Sequence, residues 1–266
     1  MYKFDVIAIT LLIAASVIEF TLLLLQRPEK KMIRDMKANL MIGFCLILLG
    51  LFIKGVQLSL YSFIYSFSIF KPEMSWWLWI VAFLSCDLVH YFFHWCGHHT
   101  RIFWAAHVTH HSSEYLNLST AWRTNFLHLF YRFLFWTPLC FLGLPPALVM
   151  FIESVTAIDN FLIHTEKVGK LGVFDLVFNS PSNHRVHHGT NPEYIDKNLG
   201  GILMIYDHLF GTYVKETVPS VYGITHNIHT EDPVTIILHE FIRLKKEIPK
   251  IKGVKQKLRY LFSSPA

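Results

Sequence analysis

Eight of the sixteen histidines fall into three blocks with the spacing of metal ligands. His94 and His98 form the first, His107, His110 and His111 the second, and His184, His187 and His188 the third. On a helix, residues three and four apart share a face, with Cβ atoms roughly 5–6 Å apart. Each block is therefore predicted to aim two or three imidazoles at one point, and three converging faces would supply nitrogen for two metal ions. Imidazole suits zinc, copper, iron and nickel, and geometry decides among them. Hydrogen bonding at a membrane interface accounts for any one histidine, but poorly for three such blocks together.

The elements that must carry these blocks are apolar. Of 266 residues, 53% are hydrophobic and 16% charged, against about 25% charged in soluble domains, which is a membrane-class composition. Val6–Leu25 has about the 20 residues of a spanning helix, and Glu19 within it is expected to face protein or the interface. Asn39 is the natural N-cap of the next helix. Leu40–Phe70 after it reads as one tilted span, in which Lys54 snorkels or pairs. Trp76–Phe93 is a third span with Trp76, Trp77 and Trp79 as an aromatic belt. Residues 126–163 form a fourth apolar region that Pro145 and Pro146 break into two shorter helices. The expectation is thus an all-α integral membrane protein, residues 1–266 as one domain, with about four membrane-embedded regions. A helical histidine-rich cap is expected over 94–125 and 164–215.

Charge sets the expected sidedness. Arg27, Lys30, Lys31, Arg34 and Lys37 follow the first span, whereas Lys71 stands alone before the third. Loops rich in Lys and Arg stay cytoplasmic, so all three histidine blocks are expected on the cytoplasmic side. The other basic stretch, Arg243–Arg259, fits a membrane surface better than nucleic acid. The four cysteines, Cys45, Cys86, Cys96 and Cys140, have neither disulfide-framework nor metal-knuckle spacing.

The block order, with eight residues separating His98 from His107, resembles the fatty acid hydroxylase/sterol desaturase superfamily of integral-membrane di-iron enzymes. Flanking text resembles its alkylglycerol monooxygenase-like branch: Phe103 to His107, His111 to Arg123, Ile163 to Glu166, His184 to Gly189, Asn191 to Gly201 and Asp207 to Thr212. Choosing His94/His98 over His90/His94 follows from the eight-residue gap. The resemblance implies His164 as a ninth ligand and places Asn160 where a ligand or its supporting partner sits. Asp87, Glu114, Glu166 and Asp207 are candidate acceptors for the outer N–H of ligating imidazoles. His90 is a candidate polar lining residue, and His99, His128, His208, His226, His229 and His239 read as ordinary.

What the resemblance implies is a pair of irons that use O2 to hydroxylate or desaturate a lipid C–H bond. An ether lipid or sterol-type substrate would enter from the bilayer. Electrons would come from tetrahydrobiopterin or a cytochrome or ferredoxin chain, since no nucleotide-binding or haem-attachment motif is present. The alternatives are a zinc-dependent membrane hydrolase, for which a His-Glu-x-x-His helix is lacking, and a non-catalytic metal-binding membrane protein. A bacterial inner membrane is favoured over the endoplasmic reticulum, because the C-terminus carries no retention address. Ligation needs neutral imidazoles, so activity is expected to fall as pH drops towards roughly 6.5.

Overall fold

A computed structural model describes residues 2–265. Three helices are long and apolar enough to cross a membrane: α1 (Tyr2–Leu25), α2 (Lys30–Ser66) and α3 (Trp76–His99). They display large apolar side chains outward, among them Leu11, Ile18, Phe44, Phe52, Trp76 and Ile80, as a lipid-facing surface requires. Trp76, Trp77 and Trp79 open α3 and are exposed. The fourth apolar region is a helical hairpin, α5 (Leu127–Leu142) and α6 (Pro146–Leu162). Gly143, at φ +115°, ends α5 in the left-handed region, and Pro146 starts α6 at a position where its missing N–H costs nothing. At 16 and 17 residues, each is shorter than the roughly 20 residues a straight span needs.

The bundle core lies where α2, α3, α5 and α6 meet, around Tyr61, Leu78, Ala82, Cys86, Trp136 and Val149. Glu19 turns inward, as its position in an apolar helix demands, and accepts the Leu118 backbone N–H at 2.7 Å. Lys54 reaches the Ser154 hydroxyl at 3.4 Å.

The N-terminus of α2 departs from expectation. The helix begins at Lys30, and Asn39 lies inside it, fully buried, rather than capping it. Asn39 donates to Asp35 and Ser119 and accepts from Arg123 Nη1 at 3.0 Å. Most of the predicted basic loop is therefore a helical extension. Its side chains reach the histidine-bearing segment through Lys31–Glu114 and Asp35–Arg123.

Short helices complete that segment: α4 (Arg101–His111), α7 (Phe174–Val177), α8 (Pro181–His187) and α9 (Ile205–Phe210). A 3-10 turn, Leu118–Trp122, is closed by a capping box between Asn117 and Thr120. The chain ends in α10 (Pro233–Glu247) and α11 (Val254–Leu261), with α10 seated on α2 through Ala38, Ile42 and Ile236.

Candidate metal centre

His94 and His98 occupy the last turns of α3, and Thr100 breaks the helix so that α4 folds back beside it. Gly97 permits the close approach: a Cβ there would sit 3.3 Å from the His107 ring. α8 starts with Ser180 accepting the Asn183 N–H and Pro181 at its first position, which is ordinary N-capping. It brings His184, His187 and His188 to face α4.

The nine predicted histidines form two groups, not one target per block. His94, His98, His107, His111 and His187 lie together, and His110, His164, His184 and His188 form the second; ligating nitrogens within each group lie within 4.8 Å of one another. Sequence neighbours part company, His110 from His111 and His187 from His188, because adjacent helical residues point about 100° apart. The groups adjoin, with the His111 and His188 rings stacked 4.5 Å apart.

The nitrogen positions fit a cation and little else. His107 Nε2 is 3.1 Å from the Nε2 atoms of His94, His98 and His111 alike. One ring nitrogen offers either one proton or one lone pair, so no tautomer satisfies three such contacts. His184 Nε2 lies 2.9 Å from His164 Nε2 and 3.1 Å from His188 Nε2, with the same difficulty. Burial lowers the pKa of His107, His110, His111, His184, His187 and His188 well below the ordinary value, with neighbouring imidazoles adding to the effect. Burial takes His164 to about 4, against the opposing pull of the Asn160 and Phe161 carbonyls. All seven are thus held neutral, the form that ligates.

The outer nitrogens are oriented by a loop, which sequence reasoning missed. His94 Nδ1 donates to the Leu199 carbonyl at 2.9 Å, His187 Nδ1 to the Lys197 carbonyl at 3.1 Å, and His98 Nδ1 meets Asp196 Oδ1 at 3.0 Å. Backbone carbonyls have no sequence signature. Asp196 lies within the Asn191–Gly201 stretch, where nothing marks it apart from its neighbours. Asp196 and Asn198 adopt positive φ, 57° and 54°, a conformation Asp and Asn tolerate best after glycine. Asn198 is fully buried and ties the loop to Asn183 and Val214.

The candidate supporting acids act differently from expectation. Asp207 accepts the Leu199 and Gly200 N–H groups, and Asp87 those of Ile202 and Leu203. Both therefore hold the loop backbone rather than an imidazole. Glu114 pairs with Lys31 and His229, and Glu166 accepts from the Tyr222 hydroxyl; neither contacts the nine histidines, because each faces a charged or hydroxyl partner at the surface. Asn160 contributes its carbonyl, which accepts from His164 Nδ1, while its side chain lies 3.5 Å from His90 Nε2. His99 stacks on Trp95, away from the groups. His128, read as ordinary, is buried with its ring stacked 5.4 Å from that of His107.

Membrane-capable helices presenting two adjoining polyhistidine groups define a class of membrane protein whose histidine cluster is compatible with metal binding. The chain belongs to the fatty acid hydroxylase family, whose model matches residues 79–212. Alkylglycerol monooxygenase from Homo sapiens is 38% identical over 218 residues, covering 81% of this chain and 49% of that protein. The Danio rerio enzyme of that name is 39% identical over 236 residues, covering 88% and 52%. An ornithine lipid hydroxylase from Rhizobium tropici is 32% identical over 131 residues, 49% of this chain and 40% of that protein. The chain spans about half the length of the alkylglycerol monooxygenases it matches. No solved structure matches it.

Proposed function

We propose that the chain is a membrane-bound di-iron oxygenase that hydroxylates or desaturates a C–H bond of a lipid, an ether-lipid or sterol-type substrate among the candidates. The observation that carries this reading is the pair of buried histidine groups, five and four, in a chain of this family. His94, His98, His107, His111 and His187 would hold one iron, and His110, His164, His184 and His188 the other. When bound, the irons supply reductive activation of O2, with electrons from tetrahydrobiopterin or a cytochrome or ferredoxin chain.

The chain's own residues do the rest. The 196–199 loop fixes the tautomers of His94 and His187 by accepting their Nδ1–H, which leaves Nε2 as the ligating atom. Asp196 makes His98 a stronger donor to the metal through the same kind of contact. Burial excludes water from the imidazoles, and the α5–α6 hairpin gives an acyl or alkyl chain an apolar path from the bilayer. The cap is read as cytoplasmic and the whole chain as one domain.

The test is iron content together with lipid mass spectrometry of membranes from cells expressing wild type or His187→Ala. The expected result is two irons per chain and a lipid product only with wild type. Zinc-supported turnover in place of O2-dependent turnover would refute it.

A further inference from the structure

Within the hairpin, α5 carries a cation, Arg132, without a contact ion pair. Arg132 takes part in none of the ion pairs among the described residues. Its Nε is buried without a protein partner, and its guanidinium sits 5.4 Å from the Trp136 ring centroid. Glu153 on α6 feels its charge but accepts from Gln57 at 2.7 Å and Tyr61 at 3.3 Å, outside ion-pair distance of Arg132. An ionisable group inside a membrane bundle is expensive and normally has a partner or a task.

Three further side chains near it, each more than nine-tenths buried, carry an unpartnered polar atom: Trp136 Nε1, His128 Nε2 and His90 Nδ1. His90 lies 6.3 Å from Trp136 and 5.7 Å from His94, ring to ring, and His128 stacks on His107. This polar layer therefore touches the five-histidine group directly. Trp136 and Arg132 can only donate, and each histidine can donate from one nitrogen, so the layer suits an oxygen-rich, negatively charged group. One to two turns further along, Leu139 and Gly143 line a mostly apolar cavity of about 520 Å³ with Leu78 and Val81 of α3, and Lys71 at its edge, within the size range of small-molecule pockets.

We propose that Arg132, Trp136, His128 and His90 bind the anionic oxygens of a lipid head group, a carboxylate or a phosphate, with its alkyl chain running along α5 into that cavity. The proposal rests on the lipid-oxygenase reading for its substrate. It adds that this chain acts on an acidic lipid, at carbons near the head group, which the layer holds against the metal centre.

The test is competition for bound radiolabelled palmitate on the detergent-purified full chain at alkaline pH, with palmitate, hexadecyl phosphate and hexadecanol as competitors. At least one anionic probe should displace the label at a concentration tenfold or more below that of hexadecanol, and the better of the two identifies the head group. Arg132→Gln should abolish that preference, and Arg132→Lys should keep part of it. Trp136→Phe, which keeps an aromatic side chain but removes the N–H, should weaken anion binding several-fold, and it decides the matter if Arg132→Gln does not fold. Equal displacement by hexadecanol, or a preference that survives Arg132→Gln, overturns the site. Iron content and O2-dependent lipid oxidation, measured on the same samples, separate the two claims. An iron-loaded, lipid-oxidising protein without head-group preference refutes the site alone, whereas anion preference without iron refutes the oxygenase reading.

Discussion

Arg185 grips Glu216 with two parallel hydrogen bonds, Nε to Oε1 at 2.7 Å and Nη2 to Oε2 at 2.8 Å. Its remaining Nη1 donates to the carbonyls of Thr165 and Val168. Arg185 lies between His184 and His187 in sequence, yet its hydrogen bonds go to Glu216, Thr165 and Val168 rather than to the histidines. It therefore clamps α8 to the segment that follows His164, setting the spacing of His164 from His184 and His188.

Arg185→Ala should loosen the four-histidine group specifically. A positioning partner of metal ligands typically contributes about 10- to 100-fold in metal affinity. We expect iron content to fall from two per chain towards one under mild chelation. Arg185→Lys should recover little, because an ammonium cannot reproduce the bidentate fork. Equal loss of both irons would show that the clamp supports the whole segment rather than one group.

Asp196→Asn tests the loop from the other side. The substitution keeps a hydrogen-bond acceptor for His98 Nδ1 but removes its charge, so the five-histidine group should lose affinity by about tenfold. Chelator titration of the variant reads this directly, and an unchanged affinity would assign Asp196 a purely local role in the loop.

Arg123 is a structural counterpart. It is almost fully buried and donates to Asp35, Asn39, Ser112 and the Thr109 carbonyl, joining the end of α4 to α2. Arg123→Met leaves the Asp35 carboxylate buried without its cation, a change that costs about 3–5 kcal/mol. The unfolding midpoint in detergent should drop sharply, and adding Asp35→Leu should restore part of it. A loss below about 1 kcal/mol would mean that water reaches the pair.

Much of the bundle could be read from the chain. The apolar runs of α1 and α3 and the proline break between α5 and α6 translate directly into helices, because membrane-facing segments carry their signal in every residue. The start of α2 did not, since Lys31, Asp35 and Asn39 look like a polar loop until Glu114, Arg123 and Ser119 arrive from elsewhere to pair with them. The nine histidines were recognisable from spacing and resemblance, and the structure gathers all of them. Their partition into five and four, and the carbonyls of Lys197 and Leu199 behind them, depend on tertiary placement alone.

The pH dependence also shifts. The need for neutral ligating imidazoles alone puts the loss of function near the ordinary imidazole value. Burial lowers the histidine pKa values, so the neutral form persists further into acid. For a group whose folded pKa lies below its unfolded value of roughly 6.5, the stabilising contribution is complete above that value. It is lost as pH falls through the folded pKa, which for His164 is about 4. Metal content after dialysis should therefore hold at pH 6 and decline between about 6 and 4. Half-loss above pH 6.5 would contradict this.

The central claim is that the two histidine groups support O2-dependent oxidation of a lipid. Its most direct test is lipid mass spectrometry after incubating wild-type and His187→Ala membranes under 18O2 with reductant. We predict one lipid class that gains an 18O atom or loses two hydrogens in wild type, strictly with O2, and that is unchanged in the variant. Lipid profiles that are identical in the two membranes, with and without O2, would contradict the account.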